Sequence, residues 1–439
     1  MTDLVTEGVP DTGGASRRRS LRPLGGVLAA IAVSLTGTRI SAIALPWFVL
    51  VTTGSATRTG LVACCEMAPY VLAKALAGPL VDRTGPRRVS WTTDLLSAAA
   101  AGAVPVLHAV DQLSLPLLLV LVALIGAARG PGDLAKEVMV PEAAEFSRVP
   151  LERATGLAGV TERLAATIGP AAGGSLVALL GPLTGILVTA ACFALGSVIV
   201  AVVLPRGTGR TAAEGPPPED GAPPGYWRRF GEGFAFLRGE PLLLTIIVMV
   251  SITNLLDAAF TTVLMPVWAK ESGHGPTDIG LNSSAGGLAA VAGSLAAAAA
   301  AHRMRRRVVF FAGFLLAGAP RFLILAADAP RWAVLAVFAV GGFGAGFLNP
   351  ILSAVSFERI PRRLLGRVNA LAYAGIPLGG LLGGAMVASF GLVPVLLTGA
   401  AVYFLTTGLT GLRPEWRAMD RGRGAGKGLD AHGAAAPDG

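Results

Sequence analysis

Apolar and polar positions along the chain fall into blocks of roughly 20 mostly apolar residues, separated by short segments of Gly, Pro and charge. A helix needs about 20 such residues to cross the hydrocarbon core of a bilayer. Backbone in lipid must satisfy its own hydrogen bonds, so these blocks are helices. The alternating segments of about 10 residues that build a transmembrane barrel are absent. The pattern predicts an all-α membrane protein with twelve spans, at 24–52, 59–81, 89–110, 114–135, 155–178, 182–204, 241–268, 278–301, 308–327, 331–355, 366–389 and 392–412.

Composition agrees. Of 439 residues, 53% are hydrophobic and 14% charged, against about 25% charged in soluble domains. A net charge of +9 would suggest nucleic acid in a soluble protein; here its distribution reports topology and no nucleic-acid partner is expected. With these spans, 28 Lys and Arg fall on one side of the membrane and only Arg58, Lys270 and Arg331 on the other. The positive-inside rule then places both termini in the cytoplasm. Arg17–Arg19 precede an apolar stretch longer than an export signal's, with eleven more spans after it, so that stretch reads as the first helix.

The pattern divides the chain into a disordered tail (1–22), a six-helix bundle (23–204), a cytoplasmic linker (205–240), a second six-helix bundle (241–412) and a second tail (413–439). The linker holds Pro216–Pro218 and Pro223–Pro224, a composition suited to flexible connection. The bundles are weakly alike. Glu152-Arg153-Ala154-Thr155-Gly156-Leu157-Ala158 near the fifth span parallels Gly366-Arg367-Val368-Asn369-Ala370-Leu371-Ala372 near the eleventh.

Enzyme chemistry finds no support. There is no Gly-x-x-x-x-Gly-Lys-Ser/Thr phosphate loop, so ATP is not expected to drive the protein. Cys64, Cys65 and Cys192 lie within spans, and His108, His274, His302 and His432 are scattered. Neither set has disulfide or metal-ligand spacing, and no cofactor or metal is expected.

Between the second and third spans stands Gly78-Pro79-Leu80-Val81-Asp82-Arg83-Thr84-Gly85-Pro86-Arg87-Arg88. Gly78 offers room for another helix, Asp82 lies four residues on along the same face, and Gly85 suits a tight turn. Arg83, Arg87 and Arg88 could pair with acids or lipid headgroups. The pattern closely resembles the signature loop of major facilitator superfamily transporters, with Pro86 where the family often has Arg. The resemblance covers nearly the whole chain between the tails. It implies the major facilitator fold, two bundles rocking about a central cavity, with Asp82 holding the halves together at the cytoplasmic side when the transporter opens outward. Residues Thr53–Ala56 and Glu232–Leu237 look like those of bacterial permeases often described as drug exporters.

In the fifth span, Gly169-Pro170-Ala171-Ala172-Gly173-Gly174 resembles the Gly-Pro-x-x-Gly-Gly core of the superfamily's antiporter motif, though Ala165 replaces an earlier glycine. Pro bends the helix and the glycines let it pack against the other half. Gly379, Gly380, Gly383 and Gly384 form an analogous set in the eleventh span.

Charges at membrane depth are costly and face a cavity or partner. The spans hold Arg39, Glu66, Lys74, Asp94, Arg129, Asp133, Glu162, Arg163, Asp257 and Arg321. Desolvation can raise a carboxylate's pKa towards neutrality, which a proton carrier needs. Glu66 and Asp257 are the candidates, one per half, with Arg39 expected to neutralise Glu66. By the resemblance, Arg129 corresponds to a fourth-helix arginine linked to proton transfer. Asp94 is expected in the charge network beneath the signature loop, and Arg321 is a further candidate for the proton or substrate path. Trp47, Phe48, Tyr70, Phe260 and Tyr373 could shape a cavity.

The expected activity is export of a small organic compound, a drug or secondary metabolite, in exchange for protons, by a monomer in the bacterial inner membrane. Proton-coupled uptake and a non-transporting sensor or scaffold are the alternatives.

Overall fold

The computed structural model describes residues 20–204, 237–300, 306–360 and 371–412. Most of the tails and linker, and the second-half segments 302–305 and 366–370, lie outside the described residues. Among the described residues all regular structure is helical: α1 (Arg22–Thr53), α2 (Ala56–Leu76), α3 (Gly78–Thr84), α4 (Pro86–Ala109), α5 (Leu115–Phe146), α6 (Leu151–Leu180) and α7 (Pro182–Val203) in the first part. The second part holds α8 (Pro241–Glu271), α9 (Pro276–Ala300), α10 (Arg306–Ala317), α11 (Ala319–Ala326), α12 (Arg331–Arg359), α13 (Ile376–Phe390) and α14 (Leu392–Leu412). A π-helical turn, Phe260–Leu264, interrupts α8.

Among the described residues, eleven candidate spans are long and apolar enough to cross a membrane, one of them made by α10 and α11 together. The expected third span is α4, 24 residues long. It is not among the eleven, because Thr92, Thr93, Asp94 and His108 dilute its apolar run. Boundaries also differ. Pro79 ends the expected second span early, and Gly78–Thr84 becomes the separate short helix α3. The expected ninth span is broken at Gly318, where a Cβ would collide with the Tyr403 ring. The fourth span was expected to end at 135, yet α5 runs to Phe146 and so takes in Lys136 and Glu137.

The two parts of the chain repeat one another in their turns. Gly54 (φ 65°) follows α1 and Gly273 (φ 68°) follows α8; Asp111 (φ 55°) precedes α5 and Asp328 (φ 47°) precedes α12. Gly181 (φ 84°) joins α6 to α7 as Gly391 (φ 80°) joins α13 to α14. Three left-handed turns therefore recur at equivalent places, a stronger sign of duplication than residue identity gives.

Helices α1, α2, α4, α5, α6 and α7 pack mainly on one another, and α8 to α14 likewise. Two pairs make the main crossings between the sets, with lighter contacts of α1 on α8 and α9 and of α2 on α8. Helix α6 lies against α9, where a Cβ on Gly174 or Gly280 would meet backbone of the other helix. Helix α13 lies against α2, where the same holds for Gly384 with Ala56 and Gly60 with Gly380. Lys270 adds a cross-set bond, its Nζ donating to the Leu50 carbonyl at 2.9 Å. These approaches cluster towards the end that carries the Gly54 and Gly273 turns.

Candidate functional site

Helices α2 and α5 are joined by two ion pairs. Gly126 and Gly130 bring α5 so close that a Cβ on the first would strike the Glu66 carbonyl, and one on the second the backbone of Tyr70 and Lys74. On α2, Glu66, Tyr70 and Lys74 recur every four residues and share a face. On α5, Arg129, Asp133, Lys136 and Glu137 form a similar stripe. The stripes meet. Arg129 Nη1 donates to Glu66 Oε1 at 2.7 Å and its guanidinium lies 4.9 Å from the Tyr70 ring centroid. Lys74 Nζ bonds Glu137 Oε1 at 2.8 Å. The Arg129–Glu66 pair is sealed, with side chains 8% and 12% exposed.

A second buried pair lies alongside. Lys136 Nζ donates to Asp94 Oδ1 at 2.7 Å, and Ser34 Oγ donates to Asp94 Oδ2 at 3.4 Å, tying α5, α4 and α1 together. Asp94 thus sits inside the bundle, bonded to Lys136 and Ser34. The Lys74–Glu137 pair and Lys136 border a cavity of about 210 Å³ between α1, α2, α5 and α6. Arg39, Tyr70, Lys74, Asp133, Lys136, Glu137 and Glu162 supply its polar wall. Arg39 is not the partner of Glu66, which takes Arg129. Its side-chain stem rests where a Cβ on Gly169 would stand, and its head opens to the cavity that Glu162 also lines.

In the second part of the chain, Asp257 and Arg321 form an ion pair, bringing together two residues that the sequence named separately. The Arg321 guanidinium lies 4.7 Å from the Phe260 centroid, 5.3 Å from Phe322 and 5.7 Å from Tyr403. Those rings are buried, and the Asp257 side chain is 40% exposed. Of the expected cavity aromatics, Tyr70 lines the cavity. Phe48 is buried edge-on against His108, Phe260 is buried, and Tyr373 is on the surface.

The signature loop departs from expectation in one respect. A Cβ on Gly78 would meet open space, so no helix uses it as a close approach; α3 is anchored instead by Val81, buried with Val89 of α4 and Ala135 of α5. Asp82, Arg83 and Arg88 are exposed, and Asp82 makes no ion pair among the described residues. Arg87 alone reaches inward, donating to the Ala201 carbonyl of α7. Gly85 has φ 88°, the left-handed turn that favours glycine.

The antiporter-like motif was expected to pack against the other half, but it divides between two neighbours: Gly174 faces α9 of the second part, while Gly169 and Gly173 face α1 of the same part. Cβ atoms on Gly169 and Gly173 would crowd Arg39 and Ile40 of α1. Pro170 cannot donate, and Ala171 N donates instead across the halves to Ser284 Oγ of α9 at 2.9 Å. Gly379 and Gly383 seat α13 on α8, and Gly380 and Gly384 seat it on α2, repeating the same arrangement.

Lys136, Glu137 and Tyr403 were missed. The signal for Lys136 was its place seven residues after Arg129, on one helical face.

Apolar helices closing on membrane-embedded ion pairs and a polar cavity define a solute transporter. The family model of the Major Facilitator Superfamily matches residues 27–267 and 247–415, and the chain belongs to that superfamily. It is 32% identical over 404 residues to the multidrug efflux pump Tap of Mycobacterium tuberculosis, covering 90% of this chain and 94% of that protein. It is 31% identical over 399 residues to the multidrug efflux pump Tap of Mycolicibacterium fortuitum, covering 87% and 95%. The fold is similar to that of the nucleoside transporter NupG (TM-score 0.68, 14% identity, 91% of this chain and 99% of that one). It is also similar to a bacterial homolog of the human lysosomal transporter Spinster, solved inward-facing and unoccupied (TM-score 0.66, 12% identity, 91% and 98%). The chain is a multi-pass transporter of the bacterial inner membrane rather than an enzyme.

Proposed function

We propose that this protein exports small organic compounds, drugs among them, in exchange for protons. The observation that carries the reading is the sealed Glu66–Arg129 pair between α2 and α5, a carboxylate held in the span by a single cation. Such a group can trade its arginine bond for a proton. Asp257, bonded to Arg321, is its counterpart in the other half. The relatives named as multidrug efflux pumps support the direction and the substrate class.

In this reading α4 is the third of twelve spans, and the chain forms two six-helix bundles, 23–204 and 241–412, around linker 205–240. Both termini lie in the cytoplasm. Counting Lys136 with the helices lowers the 28 cytoplasmic cations by one and leaves the asymmetry intact. The α6–α9 and α13–α2 approaches then close the outer side, and Asp82 is a released latch that engages the other half when the transporter opens outward. Protons, the substrate and lipid are the partners, and the working unit is a monomer.

The test is accumulation of a fluorescent lipophilic dye in efflux-deficient bacteria expressing the chain, with and without a protonophore. Lower accumulation, restored by the protonophore and absent in an Asp82→Ala variant that still reaches the membrane, is expected. Equal accumulation with and without expression contradicts broad export, and full activity of Asp82→Ala removes the latch.

A further inference from the structure

Helix α1 belongs to the first part of the chain, yet its C-terminal end is built into the second. Ile43 and Leu50, seven residues apart on one face, are buried with Val267 and Trp268 of α8 in the second part's apolar core, and Trp47 packs against the same cluster. Lys270 lies in the last turn of α8, and its Nζ donates at 2.9 Å to the Leu50 carbonyl. That carbonyl also accepts from Gly54 N at 3.0 Å, the bond that closes α1. The C-terminal ends of α1 and α8 are therefore neighbours. Each carries the partial negative charge of a helix C-terminus, and two like ends brought together repel. One ammonium placed between them offsets both.

Other bonds cross between the sets without a charge. Thr57 Oγ1 donates to the Gly384 carbonyl at 3.4 Å, and Ala171 N donates to Ser284 Oγ at 2.9 Å. The glycine approaches of α6–α9 and α13–α2 set how near the helices come, and glycine adds no charged group. A charge-assisted bond is about twice as strong as a neutral one, so Lys270 outweighs each of these polar crossings. The signature loop is in the opposite condition: Asp82 is exposed and makes no ion pair among the described residues.

We propose that Lys270 is the latch of the outer side. Its ammonium holds α1 to α8 while the transporter opens inward, and it leaves the Leu50 carbonyl when the transporter opens outward. The proposal rests on the export reading, which makes the end with the Gly54 and Gly273 turns the outer one. It adds the residue that sets the balance between the two orientations. Lys270 and Asp82 then act at opposite ends, one engaged while the other is free. Lys270 is a positioning residue: it acts on the helices and not on the transported compound.

The experiment measures the distance between spin labels at Gln112→Cys and Ala327→Cys by double electron–electron resonance. Both positions are exposed, on the turns that precede α5 and α12. The parent is the purified full-length protein in detergent, with Cys64, Cys65 and Cys192 replaced by Ala. A short distance, from the closed outer side, should predominate in it. Lys270→Met keeps an apolar stem and removes the charge; it should raise the ratio of long to short distances about tenfold, the weight of one hydrogen bond to a charged group. Lys270→Arg, which keeps a cationic donor, should leave the ratio near that of the parent. A long distance predominating in the parent, an unchanged ratio in Lys270→Met, or an equal rise in Lys270→Arg overturns the proposal. Should Lys270→Met not fold, Lys270→Gln is read in the same way, and an unchanged ratio there overturns it too. Substrate and gradient are absent from the measurement. A latch that behaves as described, in a protein that does not export a lipophilic dye such as ethidium, would fault the export reading alone.

Discussion

The two halves hold the same chemical unit in different surroundings. In the first, Glu66 and Tyr70 of α2 receive Arg129 of α5; in the second, Asp257 and Phe260 of α8 receive Arg321 of α11. Each unit is a carboxylate, a guanidinium and an aromatic ring that shares the carboxylate's helix. The first is sealed and backed by two more ion pairs. The second stands alone, its carboxylate 40% exposed and its arginine packed on buried rings. The turns make α8 the equivalent of α1 and α12 that of α5, so the two units stand on non-equivalent helices and share their chemistry, not their place in the repeat. A sealed pair depends on each partner, because a lone charge left in a dry site is costly; an open pair has solvent to fall back on.

That difference can be broken by mutation. Arg129→Ala should destabilise the protein by about 3–5 kcal/mol, since Glu66 is left buried without a cation, and should abolish transport; thermal unfolding in detergent measures the first and dye efflux the second. Gly126→Ala should cost about 1–3 kcal/mol by forcing α5 away from the Glu66 carbonyl, with dye efflux falling because the two polar stripes separate. Arg321→Ala should cost only about 1 kcal/mol, as expected for a pair open to solvent. A loss equal to that of Arg129→Ala in the same unfolding assay would remove the distinction between the halves. Smallest of all is Gly78→Ala, expected to change stability by less than about 0.5 kcal/mol because its Cβ enters open space. A large drop would show that the signature loop packs in another state.

Much of the fold was legible because a bilayer imposes a coarse rule: helices must be long and apolar. The same rule blurs the exceptions. Helix α4 carries Asp94 because one of its faces is turned to Lys136 and Ser34, which a span average reads only as weak hydropathy. The glycines of α6 and α13 were readable from spacing, since backbone contact tolerates few other residues. Gly78 shows the limit: a glycine in a motif need not touch anything in the state described. Pairings were the least legible part. Arg39 and Arg129 are both arginines near Glu66, and the choice between them follows from how Gly126 and Gly130 set α5 against α2. Lys136 escaped notice because the expected span ended one residue before it.

The most direct test of the account is proton movement caused by substrate, measured with a pH-sensitive dye sealed inside proteoliposomes that contain the purified protein. Addition of ethidium should drive protons in the opposite direction with wild type, and Glu66→Gln should move ethidium only down its own gradient with no proton signal. Ethidium transport by wild type without proton movement, or an undiminished proton signal in Glu66→Gln, would contradict the account.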